Sequence, residues 1–256
     1  GVQLTATGTD PTRTPERVLD APRYAAMEAY FNQLGRPGLQ MMCSTASVQV
    51  NIGLGAEADT FNRWRTANRI GPAMVAAFAH APFAAGGPPS PSGWQSNRLA
   101  VWWALDPPRT GPVPMQGHPV QRYVDYALDA GVIALDQDTG YAQPEHAHAS
   151  VPFGRWMTVG GEWGWPTVDD LAVHLTTLFP PVRPKGWLEL RYLDALPTPL
   201  WHVAVACVGA LCAEPDVADE VDRALEGTDD MWITAAHDGL AHPALGLAAQ
   251  RLMRLA

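Results

Sequence analysis

The chain has 256 residues, and its 17 Lys+Arg against 26 Asp+Glu give a formal net charge of −9. This balance argues against a nucleic-acid-binding protein, because such proteins usually present a basic face. The longest apolar run, near Trp201 to Leu211, is well short of the ~20 residues that span a bilayer, so no transmembrane helix and no membrane partner are predicted. The opening GVQLTATGTD lacks the basic start and apolar core of a secretion signal, which predicts a cytoplasmic protein.

The three cysteines, Cys43, Cys207 and Cys212, show no C-x-x-C spacing. A disulfide framework or a structural zinc site is therefore disfavoured. We interpret these cysteines as small apolar residues of the core.

The first half of the chain alternates between helical and extended patterns. Residues 1–22, rich in Pro, Gly, Thr and Asp, form a predicted irregular lead-in. A helix is predicted over RYAAMEAYFNQL, ending at Gly35, and a strand where Val48, Val50 and Ile52 alternate with Gln49 and Asn51. Helical spacing returns over residues 57–79, with a break at Pro72, and residues 84–95 form a loop.

The second half continues the same mixture. We predict a helix over 121–129, a short strand in VIAL, a polar excursion over 136–165, and a helix from a Thr167 cap that Pro180 terminates. WLELRYL predicts a strand, and residues 200–256 are helical. The pattern as a whole indicates a mixed architecture in which strands and helices are interleaved.

Several common catalytic signatures are absent from the sequence. Neither G-x-x-x-x-G-K-[ST], G-x-G-x-x-G nor G-x-S-x-G occurs, which disfavours a P-loop, a dinucleotide-binding fold and an α/β-hydrolase. His146 and His148 would share one face of a strand, but a metal site needs a further ligand, so we favour a solvated loop pair.

The strand WLELR carries the clearest chemical pattern. Alternation places Trp187, Glu189 and Arg191 on one face and the leucines on the other. A carboxylate beside a guanidinium suits a divalent-metal ligand next to a phosphate-binding arginine. The alternative is an exposed ion pair on a sheet surface, which is common and weak.

Two further sets of polar residues are candidates for ligand binding. Gln49 and Asn51 point the same way, and their amide oxygens suit Mg²⁺ or a nucleotide, although a solvated sheet face is the alternative. Arg98 and Arg109 flank an aromatic stretch, where a guanidinium fork could hold a substrate carboxylate in a bidentate manner. The alternative is that they are arginines at the rim of a pocket.

Seven blocks in order along residues 23 to about 205 resemble glutamate-cysteine ligase, in the branch shared by the plant enzymes and the actinobacterial enzyme of ergothioneine biosynthesis. The R-Y-L-D-A-L ending of the strand block is more similar to the ergothioneine branch. The blocks are RYAAMEAYF, MMCSTASVQVN, ANRIGPAMVAAFAHAPF, SNRLAVWWALDPPRTGPVP, RYVDYALD, HLTTLFPPVRPKGWLELRYLDALP and the Trp201 that follows.

The resemblance implies an α+β fold of the glutamine synthetase and guanidino kinase type, a curved antiparallel sheet funnel with outer helices. It implies that Glu189 binds Mg²⁺ and that Arg191 meets the transferred phosphate. Gln49 stands where other branches place a histidine metal ligand, and Asn51 belongs to the same motif, so both are assigned to nucleotide binding and Gln49 also to the metal.

The same resemblance implies how the substrates are held. Arg98 matches an arginine that grips the glutamate carboxylate, and Trp201 matches a tryptophan of the substrate pocket. Ile133 departs from the plant enzymes, which have tyrosine there, and this affects the expected cysteine pocket. The implied partners are glutamate and cysteine, with ATP and Mg²⁺ as cofactors, and no oligomeric state is implied.

The resemblance also predicts what this chain lacks. Residues 1–256 are interpreted as a single catalytic-type domain without the family's N-terminal region, whose glutamates complete the metal cluster. The chain is therefore interpreted as a fragment, for which inactivity in isolation is one expectation. Two alternatives stay open: a related carboxylate-amine ligase with another amine substrate, and a non-catalytic or regulatory homologue on the same fold.

Overall fold

The computed structural model of the chain describes residues 5–35, 38–84, 91–133, 151–161, 164–213 and 218–256. His146 and His148 lie outside these residues. The described elements follow one another along the chain in this order: α1 (Pro22–Gln33), α2 (Gly38–Ser44), β1 (Ser47–Gly53), α3 (Glu57–Arg69), α4 (Gly71–Phe78), α5 (Asn97–Leu105), α6 (Pro107–Thr110), α7 (Pro119–Asp129), α8 (Phe153–Val159), α9 (Val168–Thr176), β2 (Val182–Pro184), β3 (Trp187–Asp194), α10 (Leu200–Ala213), α11 (Ala218–Ala224), α12 (Trp232–Asp238), a 3₁₀ helix (Gly239–Ala241) and α13 (Pro243–Leu255).

The chain divides into two compact units. The first, the sheet unit, consists of Gly1–Thr14, Ser44–Ala100 and Pro181–Ala256, and the second, the helical unit, of Pro15–Cys43 and Val101–Pro180. The α+β class is thereby confirmed, with a small antiparallel sheet and many helices. The finer prediction of a funnel, and that of a single domain over 1–256, stay predictions.

The sheet unit is built on three antiparallel strands in the order β1-β3-β2. Val50 and Ile52 of β1 and Leu188 and Leu190 of β3 are buried. On this covered side, the Tyr192 hydroxyl donates to the Ala67 carbonyl at 3.2 Å. The helices therefore cover one face of the sheet, as the alternation in both strands predicted.

The register of β1 against β3 is interrupted once. Val48 pairs with Leu193 and Val50 with Leu190, so one residue of β1, Gln49, lies opposite two residues of β3. An irregularity of this kind bends a strand and changes the direction of nearby side chains. It lies at Arg191, one of the predicted site residues.

The helical unit has a core around α1. Tyr30, Phe31, Leu105, Ile133 and Phe179 belong to one buried cluster, in which Ile133 is 1% exposed. The plant tyrosine expected at this position would add a hydroxyl inside an apolar cluster, where it would need a hydrogen-bond partner. Among the described contacts, Ile133 is a core residue.

Four elements differ from the predictions. α2 precedes β1 where the alternation indicated no helix, and α8 lies within the predicted polar excursion. α8 forms because Phe153 and Trp156, three residues apart, both enter a second apolar cluster with Val132. The described part of VIAL, Val132 and Ile133, forms no strand, although the preceding Gly131 makes an isolated bridge to Pro152. α9 ends at Thr176, before Pro180.

Other predictions are confirmed in detail. The helix over 57–79 is broken before Pro72, which becomes an early residue of α4. The Thr167 side chain accepts from the Asp170 backbone N–H, and Asp170 returns the bond in a capping box. Of the three cysteines predicted to lie in the core, Cys212 is buried, whereas Cys43 and Cys207 are only half-buried, so for these two the prediction is wrong.

One helix pair bears on the membrane prediction. Among the described residues, no single helix has the length and hydropathy to cross a bilayer, whereas the bent pair α10 and α11 together meets those two criteria.

Candidate functional site

Four charged side chains meet on the face of the sheet opposite the helices. They are Glu189 and Arg191 of β3, Arg183 of β2, and Lys185 in the turn between these strands. Arg183 pairs with Glu189 across the sheet, and Arg191 lies two residues further along β3, so strand geometry places all three on one face. We call these four residues the cationic cluster.

The distances within the cluster converge on one carboxylate. Arg191 Nη1 donates to Glu189 Oε2 at 2.8 Å, and Arg183 Nη1 lies 3.8 Å from the same oxygen. Lys185 Nζ lies 3.6 Å from Glu189 Oε1. These ion pairs bring three cations to one anion, in a chain whose formal net charge is −9.

The cluster keeps its carboxylate ionised. Burial by itself raises the pKa of Glu189, but the hydrogen bond from Arg191 and the charges of Arg191, Lys185 and Arg183 outweigh it and hold that pKa below its ordinary value. Glu189 is nearly buried, while the Lys185 side chain is 39% exposed. A preformed set of cations that opens to solvent is suited to an incoming anion, and phosphate groups are its natural ligands.

The two predicted polar residues of β1 also lie on this face. Asn51 is the cross-strand partner of Glu189, and Gln49 lies opposite the register shift at Arg191. Both are exposed. The Asn51 Oδ1 atom accepts a hydrogen bond from Trp187 Nε1 at 3.1 Å. The structure thus brings Glu189, Arg191, Asn51 and Gln49 together on one surface of the sheet unit.

Arg98 lies in a different environment of the same unit. Its guanidinium is 3% exposed, and Nε donates to Asp194 Oδ1 at 2.6 Å while Nη2 donates to the Tyr192 carbonyl at 2.8 Å. Asp194 also accepts from Ser96 Oγ at 2.8 Å and from the His80 backbone N–H at 2.7 Å. Arg98 therefore supports the end of β3, and its predicted grip on a glutamate carboxylate stays a prediction.

Arg109 is fully buried in the helical unit. Its guanidinium donates to Asp106 Oδ2, to the carbonyl and hydroxyl of Thr177 and to the Gly131 carbonyl. The protein itself supplies these acceptors. The Arg109 guanidinium is therefore a structural element of the core and not the holder of a substrate carboxylate.

Trp201 lies at the start of α10. It is 38% exposed, its Nε1 donates to Thr198 Oγ1 at 3.3 Å, and its ring lies against His202 with centroids 3.5 Å apart. These partners are its neighbours in the chain, so the contacts leave its predicted substrate-pocket role a prediction.

Sequence reasoning missed Arg183 and Lys185 as site residues. The signal was present in V-R-P-K-G-W, because two cations at alternate positions before a glycine turn project toward the strand that follows. Gly186 has φ +80°, a conformation that glycine adopts without strain, and the Lys185 N–H donates to the Trp187 carbonyl across the turn. The tight hairpin brings both cations to Glu189.

These observations define an α+β protein whose small antiparallel sheet carries a cluster of three cations around one carboxylate. All 256 residues match the model of glutamate-cysteine ligase family 2 (GCS2). The chain therefore belongs to this family, and the resemblance found in the sequence is confirmed.

Curated relatives agree with this assignment. The chain is 41% identical over 263 residues to Glutamate--cysteine ligase EgtA of Mycobacterium tuberculosis, covering 100% of this chain and 60% of that protein. It is 40% identical to the protein of the same name from Mycolicibacterium smegmatis, with 99% and 60% covered. Glutamate--cysteine ligase A, chloroplastic, of Oryza sativa subsp. japonica is 33% identical over 81% of this chain and 42% of its own length. The chain thus spans about three fifths of the length of its mycobacterial relatives.

Proposed function

We propose that this chain is part of an ATP-dependent ligase that joins the γ-carboxylate of glutamate to the amine of cysteine. The observation that carries the proposal is the cationic cluster, because an open set of cations around one carboxylate is suited to a phosphoryl group. The names of the relatives, which are glutamate-cysteine ligases, support the choice of the two amino acids as substrates.

The proposed chemistry has two steps. A γ-carboxylate oxygen of glutamate attacks the γ-phosphorus of ATP, the bond to ADP breaks, and γ-glutamyl phosphate forms. The cysteine amine then attacks the acyl carbon, the bond to phosphate breaks, and a proton leaves the amine, giving γ-glutamylcysteine, ADP and phosphate. A carboxylate is a poor electrophile until it is phosphorylated, which explains the need for ATP.

The chain's own residues serve the first step. Glutamate and ATP are both anionic, so Arg191, Arg183 and Lys185 would offset their repulsion and stabilise the charge on the phosphoryl oxygens during in-line transfer. Glu189 orients Arg191 through their hydrogen bond. Asn51 and Gln49 are proposed to contact the nucleotide, and Arg98 and Trp201 stay proposed substrate residues.

Mg²⁺ is part of the proposal as the partner of ATP, but the described residues do not form a site for it on their own. No group of three or more His, Cys, Asp or Glu that could hold a metal occurs among them. Glu189 offers one carboxylate whose two oxygens already face cations. The metal role of Glu189 is tested by Glu189→Gln, for which near-normal turnover at saturating Mg²⁺ would reject it, and the metal role of Gln49 stays a proposal.

A cytoplasmic location is also proposed. It is supported by the three free cysteines, since reducing compartments keep thiols from pairing.

The test of the proposed function uses the protein expressed from its complete coding sequence. It is incubated with glutamate, cysteine, ATP and Mg²⁺, and ADP and γ-glutamylcysteine are measured together. We expect equal amounts of both products. ATP-dependent coupling of glutamate to a different amine in a panel of amines would favour the related ligase, and absence of turnover with every amine would favour the non-catalytic homologue.

The contribution of the cluster is tested in the same assay. Arg183→Met keeps much of the side chain's apolar stem but removes the charge, so ADP formation should fall. Arg254→Met, at an exposed position in the last turn of α13, is the matched control and should leave the rate unchanged.

A further inference from the structure

An aromatic surface lies directly beside the cationic cluster. Trp187, the first residue of β3, is on the same sheet face as Glu189 and is 40% exposed. Lys185, a member of the cluster, also contacts this ring: its Nζ lies 5.4 Å from the ring centroid. The indole and the cluster therefore form one continuous surface.

The indole is held in place although it is exposed. Its Nε1 donates to Asn51 Oδ1 on the neighbouring strand at 3.1 Å, and the Lys185 ammonium makes a cation–π contact with the ring. These contacts orient the ring before any ligand arrives, so binding would not carry the entropic cost of ordering a free side chain.

Gly53 is the cross-strand partner of Trp187. A Cβ added at Gly53 would meet no atom of the described residues within 4 Å. The φ of Gly53 is outside the left-handed region, so neither a close approach to a described residue nor backbone strain requires glycine there. In an antiparallel pair, directly opposed side chains normally contact each other, so this glycine leaves open space on the sheet next to the indole.

We infer that Trp187 stacks the base of the nucleotide whose phosphates occupy the cationic cluster, with Gly53 providing the space for the base. This inference rests on the proposed function and names the residue that recognises the adenine end of ATP. Trp187 and Arg191 are four residues apart on one strand, roughly 13 Å. A ligand that reaches both needs an extended chain between an aromatic ring and a terminal phosphate, as in a nucleoside triphosphate.

The test compares two ligands that share the phosphates but differ in the base. Isothermal titration calorimetry measures the binding of ATP and of inorganic tripolyphosphate to the protein expressed from its complete coding sequence, at one fixed Mg²⁺ concentration. Loss of a base-stacking aromatic weakens binding by about 5- to 150-fold. Trp187→Ala should therefore weaken ATP binding by this factor and change tripolyphosphate binding less than about twofold.

Two further variants separate stacking from folding. Trp187→Phe keeps an aromatic face and should restore most of the ATP affinity. Gly53→Leu fills the open space and should weaken ATP but not tripolyphosphate. Gly209→Leu is the matched control, because a Cβ at Gly209 of α10 also meets nothing within 4 Å, and it should bind both ligands as the wild type does.

The outcomes distinguish this inference from the function on which it rests. If Trp187→Ala weakens both ligands equally, or neither, the base does not stack on Trp187 and the inference is overturned while ATP binding stands. If the wild-type protein binds neither ligand, the proposed function fails and the inference fails with it. Arg191→Met should weaken both ligands, which reports on the cluster independently of the base.

Discussion

Two carboxylates on β3, Glu189 and Asp194, each bind an arginine, but in opposite surroundings. Asp194 is 1% exposed and faces the single cation Arg98, with the Ser96 hydroxyl and the His80 N–H completing its hydrogen bonds. Glu189 faces three cations that are partly open to solvent. The sealed pair stabilises the fold, whereas the cluster gathers three cations at a more exposed position, an arrangement suited to a negatively charged ligand.

The largest expected effect comes from breaking the sealed pair. Asp194→Asn keeps the shape of the side chain but leaves the Arg98 charge buried without its counter-ion. Removing one partner of a buried pair costs about 3–5 kcal/mol, so we expect the free energy of unfolding to fall by this amount in urea titrations.

The control for this variant is Asp230→Asn, at an exposed position in the turn before α12, which should leave the free energy of unfolding nearly unchanged. Equal stability of the two variants would contradict the structural role assigned to the Asp194–Arg98 pair.

Next in size is the loss of the cluster's arginine. Arg191→Met removes a cation from the place where charge develops during phosphoryl transfer, and turnover should fall by about 10²- to 10³-fold, the scale for one preorganised donor. Single-turnover ADP release at saturating ATP, Mg²⁺ and glutamate measures this step.

Stability distinguishes catalysis from ion pairing for Arg191→Met. A wild-type rate of ADP release together with a lowered Tm would mean that Arg191 only offsets Glu189. Arg254→Met again serves as the control for loss of an arginine elsewhere in the sheet unit.

A smaller effect is expected for Arg98→Lys. This variant tests whether Arg98 only supports the fold or also binds a substrate. Lysine cannot reproduce the fork to Asp194 and the Tyr192 carbonyl, so about 1–3 kcal/mol of stability should be lost as a buried acceptor loses its donor. The proposed contact of Arg98 with glutamate predicts that the Michaelis constant for glutamate rises more than that for ATP, because an ammonium cannot reproduce a bidentate fork. Equal effects on the two constants would contradict the substrate role and leave Arg98 only as a support of β3.

The smallest effect concerns pH. The pKa of Glu189 is lowered from its ordinary value of 4.5, so the folded state favours the ionised carboxylate. Its contribution to stability is complete above that ordinary value and is lost as pH falls through the lowered value. The difference in free energy of unfolding between wild type and Glu189→Gln should therefore be constant at neutral pH and shrink below 4.5. A difference that grows on acidification would contradict the lowered pKa.

Local sequence patterns were sufficient to predict the structure wherever a single periodicity or a single residue decides it. Alternation in WLELRYL fixed the face shared by Trp187, Glu189 and Arg191, and Thr167 and Pro72 marked helix boundaries at which the hydrogen-bonding options of the backbone are few. α8 was missed because its two buried aromatics stand in a stretch rich in glycine and tryptophan, where no long apolar period develops.

The sequence by itself determined the family, the α+β class and the shared face of β3, because ordered motifs and a two-residue period are local properties of the chain. Only the tertiary structure decided which charges meet. Arg98 and Asp194 are 96 residues apart in sequence and become a sealed pair, while Arg183 and Lys185 join Glu189 because a two-residue turn folds β2 onto β3. Burial and charge balance depend on contacts between distant segments, so an arginine's role as a support or as a ligand-binding group cannot be derived from its neighbours in the chain alone.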